Sequence, residues 1–531
     1  MMPQSVVSIV LFAVWVVAML AFWNLHRHAD FLSRKGVTIL LFTLSFLLFF
    51  AIWFFERQRE LEIGGGRVAI YPFYEISRAG EKFSARSFAI PELAIDRLQG
   101  AEQQRYRFVP LDWILEPADP DSLTSVPYLF DLSRKLHYPR FAVGVLHNRG
   151  DSTVCDFVLY DSDELIPLLE KKFSFATGDE HQAADSLSTA IASATGLTLD
   201  DPAEWSAEYS DAYFAARYEL LSGNLMQAGQ AARRIIDEDS LNIRAHEVLA
   251  TVVFADPDLR GTDLRFREKT LRALSDKLAR LSELDTTRIR INRLAAEGFL
   301  WREKFTLAEQ YLRRCLRQRF WDSKALSLFT RLHYTRYRAL GYSDIRDMFK
   351  KALLYNPGDI EAAIGLATAF LQANETDKAQ AVLEHMYSIS PNNVRLMHAL
   401  GQVYVTRGMA RELFELYSRV LEISPRDSDA FYNIGVYYYN KGDFKNARRF
   451  LKQAIAAGNH RNSRMYLASI AEQEGRLEEA VEYLRERIRL RSGEDDAYAE
   501  EARRHLFELM LAMGKVDSLG NVLEKKPGSP R

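Results

Sequence analysis

The chain has 531 residues, 48% of them hydrophobic and 26% charged, with a formal net charge of −2. That is enough chain for several packed cores, and it carries no basic field to draw nucleic acid. The two cysteines, Cys155 and Cys315, stand far apart and exclude a disulfide framework or a cysteine-rich metal site.

Residues 1–62 read as a membrane anchor. Two apolar runs, at about 5–25 and 36–55, contain no Asp, Glu, Lys or Arg. About 20 residues at ~1.5 Å rise each cover the ~30 Å hydrocarbon core, so each run is long enough to span. The runs predict a transmembrane helical hairpin with the bilayer as partner over residues 5–55. The first run lacks the basic lead and small-residue site of a cleaved signal peptide. Arg27, Arg34 and Lys35 in the short loop favour a cytoplasmic loop. The soluble part then lies in the periplasm of a bacterial inner membrane. Arg57, Arg59 and Arg67 on the other side keep a cytoplasmic soluble part as the alternative.

Residues 63–200 read as a small α/β domain. Gly64-Gly65-Gly66 precedes the first strand, so it is a linker; a phosphate loop would lie between strand and helix. Strands are predicted at Arg67–Phe73, Tyr106–Val109, Arg140–Leu146, Thr153–Tyr160 and Lys171–Ala176. Helices are predicted at Ile90–Gln99, Val126–His137 and His181–Ala194, the last stopped by Gly196. Arg149-Gly150-Asp151 reads as hairpin-turn chemistry and Cys155 as a buried structural thiol. His137 and His147 lack the further ligands a metal site needs. The "RVAIYPF" opening strand and the order β-α-β-α-β-β-β-α resemble the TolB N-terminal domain and related envelope assembly domains. In some proteins such a domain precedes tetratricopeptide repeats.

From about Pro202 the pattern is helical. Residues 201–356 read as degenerate helical repeats: Asp211–Leu221 with Leu225–Asp237, a long helix at Leu264–Leu284, a repeat over Gly298–Arg317, and two helices in Ser323–Tyr355 broken at Gly341. Over 357–525 a period emerges. Pro357, Pro391 and Pro425 are 34 residues apart. Small residues recur in the first helix (Ala367, Gly401, Gly435, Ala468) and in the second (Ala379, Ala447, Ala480), with Leu413 the exception. Each small residue of a first helix is expected to sit against that of the second. Tyr498–Met513 and Asp517–Glu524 close the array, and 526–531 is a tail that cannot continue a helix.

This spacing resembles the tetratricopeptide-repeat (TPR) family. The fold expected is mainly α: a TPR-type α-solenoid preceded by a small α/β domain and an N-terminal transmembrane hairpin. The resemblance implies a concave groove that holds protein or peptide partners. Carried onto this chain, its groove positions are Arg395, His398, Gln402, Tyr432, Asn433, Tyr439, Asn440 and Tyr466. Asn433 is similar to the asparagine that bonds a bound peptide backbone in many such domains. The two-lysine clamp for a C-terminal carboxylate is missing.

The sequence carries no paired-carboxylate motif, nucleophile signature or phosphate loop. No catalytic, cofactor-binding or metal residue is therefore expected, and the chain reads as a membrane-anchored, non-enzymatic scaffold. The alternative is an envelope sensor or assembly module, in which the α/β domain binds a ligand or envelope component and the repeats relay it.

Overall fold

The computed structural model describes residues 66–77, 80–100, 106–199, 210–255, 264–493 and 495–516. The two apolar runs, Gly64–Gly65, the helix expected at 517–524 and the tail lie outside them. Among the described residues no helix is long and apolar enough to cross a membrane. The chain divides into two compact units. The first runs to Ala325 and includes Leu354–Pro357; the second holds Leu326–Leu353 and everything from Gly358.

The N-terminal unit is built on a seven-stranded sheet. β1 (Arg67–Ile70) and β2 (Tyr74–Ser77) are two pieces of one line, both parallel to β5 (Arg140–Asn148). β3 (Gly80–Lys82) runs antiparallel to β2, and β4 (Arg107–Phe108) parallel to β1. On the other side of β5, β6 (Ser152–Asp161) and β7 (Pro167–Ala176) continue the sheet antiparallel. Helices α1 (Ala85–Gly100) and α4 (Glu180–Thr195) share the core on one face of the sheet. α2 (Leu111–Leu115) follows β4, and α3 (Val126–Lys135) sets Phe130 against Phe141, ring centroids 4.8 Å apart.

The expected order is present, with β2, β3 and α2 as additions. The strand predicted over Arg67–Phe73 stops at Ile70. The Phe73 amide turns away to the Ser87 carbonyl (2.9 Å), and its ring lies where a Cβ on Gly144 would stand, 2.6 Å off. Gly196 ends α4 at φ +70°, as a C-terminal glycine should. Gly150, at φ +82°, forms the β5–β6 turn, where the Arg149 amide donates to the Ser152 carbonyl (2.8 Å).

Three helix pairs complete this unit: α5 (Asp211–Leu221) with α6 (Leu225–Glu238), α7 (Ile243–Ala255) with α8 (Leu264–Leu284), and α9 (Ile289–Trp301) with α10 (Phe305–Gln318). The repeat expected from Gly298 thus begins earlier, at Ile289. One apolar core joins the α/β region to α5, α6 and α7, running from Val68 and Phe108 through Leu187 to Ala228 and Val248.

Polar groups lock the same junction. Arg217 of α5 is buried and bonds Glu92 of α1 (Nε to Oε2, 3.1 Å) and Asp112 of α2. The Tyr213 hydroxyl donates to the other Glu92 oxygen (2.8 Å), and Arg244 of α7 reaches Asp96 (2.7 Å). Trp113 of α2 meets Trp321 edge-on at 5.6 Å. The α/β region therefore covers residues on the first helix of each N-terminal pair.

The C-terminal unit is the regular array. α11 (Ser323–Phe329) straddles the division between the units, α12 (Tyr334–Arg338) follows, and α13 (Ile345–Tyr355) leads in. The pairs that follow are α14 (Ile360–Gln372) with α15 (Thr376–Ile389), α16 (Val394–Arg407) with α17 (Ala410–Ile423), α18 (Ser428–Asn440) with α19 (Phe444–Gly458), and α20 (Ser463–Gln473) with α21 (Leu477–Arg489). α22 (Ala497–Ala512) closes the described array. At Gly401 and Gly435 the nearest second-helix atoms are not those of the small residue expected there. A Cβ on Gly401 would lie 2.6 Å from the Tyr417 hydroxyl, and one on Gly435 2.8 Å from Leu451 Cγ. The first-helix glycine accommodates a bulky residue of the second helix, while Ala379, Ala447 and Ala480 are fully buried nearby. Leu413, which replaces that alanine, is half-buried.

Two stability outcomes follow from these contacts. Gly435→Leu drives a side chain into Leu451 and should cost about 1–3 kcal/mol, read as a lower melting point of the C-terminal unit. Arg217→Met strands the carboxylates of Glu92 and Asp112 and should cost about 3–5 kcal/mol. Burial pushes the Asp112 carboxyl up, but Arg217 and Arg290 pull harder and hold it below the usual range. A depressed carboxylate stabilises fully above its unfolded value near ~4, and this is lost as pH falls. Acid titration of the folded chain should show a loss of stability below about pH 4 that Arg217→Met diminishes, Arg290 still holding Asp112.

Candidate partner-binding face

The first helices α14, α16 and α18 are each started by a short polar side chain, whereas α20 has no such cap bond. Asp359, Asn393 and Asp427 accept from the amide three residues on, at 3.0, 3.0 and 2.8 Å. These caps recur every 34 residues, in phase with the prolines. They set the residues at matching positions of successive helices side by side.

The structure gathers three of the eight predicted groove residues. Tyr466 of α20 meets Tyr432 and Tyr439 of α18, with ring centroids 5.8 and 5.1 Å apart. His460 stacks on Tyr432 at 4.1 Å, and the Gln473 amide donates to the Tyr439 hydroxyl (3.3 Å). Burial first, and then the neighbouring Tyr466, push the Tyr432 phenol up, so it stays neutral. Tyr498, 56% exposed, lies on the next first helix. Tyr437 and Tyr438 belong to the packing instead: Phe414 stacks on Tyr437 at 4.6 Å, and Tyr438 on Phe450 at 5.5 Å.

The remaining predicted residues lie apart from that cluster. Arg395 pairs with Glu361 on the preceding first helix. His398 Nε2 lies 2.9 Å from Asp427 Oδ2, and Tyr417 borders its ring at 5.6 Å. Asn433 spends one amide hydrogen on the Asp429 carbonyl of its own helix (2.7 Å), which ties its orientation to α18. Gln402 and Asn440 are exposed, and their side chains bond no protein group among the described residues. Sequence reasoning missed His460, Gln473 and Asp427. Only Asp427 carried a local signal, a cap residue ahead of a helix.

Asp427 caps with Oδ1 and holds His398 with Oδ2. The hydrogen bond to Asp427 raises the His398 value, against burial, and Asp429 adds to the rise. A raised histidine stabilises fully below its unfolded value near ~6.5, and this is lost as pH rises through the folded value. Asp427→Asn keeps a cap acceptor and removes the charge. NMR titration of His398 should then show its value fall, with the helix caps intact.

Tetratricopeptide-repeat family models match residues 342–402, 407–462 and 432–495. Among curated proteins, Superkiller protein 3 of Schizosaccharomyces pombe is 26% identical over 174 residues, 30% of this chain and 12% of that protein. The CTR9 homolog of Arabidopsis thaliana is 27% identical over 131 residues, 24% of this chain and 12% of that protein. The chain thus spans 12% of the length of each of these relatives. Among solved structures, YrrB, a TPR protein with an unusual peptide-binding site, is 20% identical with a TM-score of 0.28, covering 36% of this chain and 96% of that one. A chain of the Cut9-Hcn1 hetero-tetramer of the APC/C is 14% identical with a TM-score of 0.42, covering 62% and 59%. The repeat segments within residues 342–495 are tetratricopeptide repeats.

Proposed function

We infer that this chain is a scaffold that holds protein partners on the first-helix face of its C-terminal repeats, tethered to a bilayer through residues 5–55. The observation that carries this is the surface of α16, α18 and α20. Side chains there are a tyrosine cluster, Tyr432, Tyr439 and Tyr466, half-buried against the repeat core, and the exposed amides of Gln402 and Asn440. Tyrosine supplies broad contact area at low entropy cost, and exposed amides supply hydrogen bonds to a partner's backbone. The matching helices of the N-terminal unit lack such a free surface, because Glu92, Asp96 and Asp112 occupy Arg217 and Arg244.

The tether accords with two apolar runs of spanning length in the sequence. A partner held by several shallow aromatic contacts is expected to lose most of its affinity when a central pair is removed.

The test is site-directed photo-crosslinking on detergent-solubilised full chain from its native membrane. A photoreactive residue at Tyr466 should trap a discrete partner. Tyr432→Ala with Asn433→Ala should remove that product at an unchanged fold, judged by circular dichroism, and Arg411→Ala on an exposed second helix should not. An equal yield from the double variant would place the partner elsewhere.

A further inference from the structure

The α/β region holds a second feature that the scaffold reading does not use. β7 pairs with β6 along one side only, and its other side has no strand partner among the described residues. It is ten residues long and exposed over most of that length. Natural sheets usually shorten, bulge or cover such an edge, since its free N–H and C=O groups accept another strand.

Beside β7 lies a groove of about 900 Å³ between the strands and one flank of α4. Apart from Asp185, the α4 flank carries small side chains there, including Thr189, Ala190 and Ser193, so the helix leaves room over the sheet. The strands supply Leu159, Leu168 and Leu169. Leu168 is 42% exposed, and the β6–β7 turn adds Leu165 and Ile166, 53% and 44% exposed. A contiguous apolar strip beside a free strand edge is the arrangement that receives an extended peptide, with alternate side chains entering the groove.

Charge identifies the peptide. Arg97, Arg140 and Lys171 border the groove. Arg97 is neutralised by Asp185. The Arg140 guanidinium donates to the Tyr106 hydroxyl (2.6 Å) and lies over that ring, but it has no carboxylate partner among the described residues. Its cross-strand neighbour Asp161 spends Oδ1 on the amides of Asp163 and Glu164 (2.9 and 3.0 Å). Lys171 has no partner among the described residues, whereas Lys172, on the opposite face, is held by Asp156. Two cations are therefore uncompensated at the groove, and they complement acidic side chains.

We propose that the β7 edge and its groove receive an extended segment of a partner protein, added as a strand, whose groove-facing side chains, every second residue, are in turn aliphatic and acidic. This site is separate from the tyrosine face and stands or falls independently of it.

The test uses the full chain and a fluorescent synthetic peptide with threonine at every second position and valine and glutamate in turn at the positions between, followed by anisotropy at low salt. Saturable binding is expected, with slowed hydrogen exchange of β7 amides. A valine–lysine peptide should bind at least about tenfold more weakly. So should the glutamate peptide carrying N-methyl groups on alternate amides, because these remove the strand-pairing donors. Lys171→Glu should reverse the charge preference; Lys171→Gln, which only removes the cation, serves if that variant does not fold. Absence of saturable binding overturns the proposal, as does binding indifferent to N-methylation or to both Lys171 variants.

Discussion

How closely two helices can approach governs the C-terminal unit. Gly401 and Gly435 leave room for Tyr417 and Leu451, and any side chain at either glycine would occupy space those residues fill. The other two pairs have Ala367 and Ala468 at the same position, both buried. What remains on the first helices is a set of positions that line up from one repeat to the next. Tyr432, Tyr439 and Tyr466 come together because the array stacks, and one side of the cluster packs on the core of Ala447, Leu451, Leu467 and Ile470.

The N-terminal unit treats the same helical architecture differently. There the α/β region presents Glu92, Asp96 and Asp112 to arginines on the first helices. An ion buried beside a matched counter-ion tolerates little displacement, because leaving either one unpaired is costly. Arg217 therefore fixes how the sheet region meets the repeats, and the apolar core through Phe108, Leu187 and Val248 supplies the cohesion. One set of repeats turns its first helices to a partner within the chain. The other leaves the amides of Gln402 and Asn440 exposed beside a half-buried tyrosine cluster.

The candidate face differs from a list of aligned positions in one instructive respect. Arg395 and His398 are already engaged by Glu361 and Asp427, so part of the predicted groove serves to tie neighbouring repeats together. Asn433 is likewise oriented by its own helix. Of the predicted positions, Gln402 and Asn440 are the ones exposed with no side-chain bond among the described residues.

The sequence by itself determined whatever depends on near neighbours in the chain. Glycine stops such as Gly196, the turn at Gly150, and the 34-residue recurrence of Pro357, Pro391 and Pro425 were all legible, because backbone conformation and helix periodicity are local properties. The tertiary structure alone decided the rest. The Phe73 ring packing over Gly144, which ends β1 early, joins residues far apart in the chain; so does the Arg217 cluster, whose partners Glu92 and Asp112 lie 125 and 105 residues away. His398 and Asp427 are 29 apart, and whether they touch depends on the angle between successive repeats. That angle is set by the summed packing of many side chains, and no linear pattern encodes it.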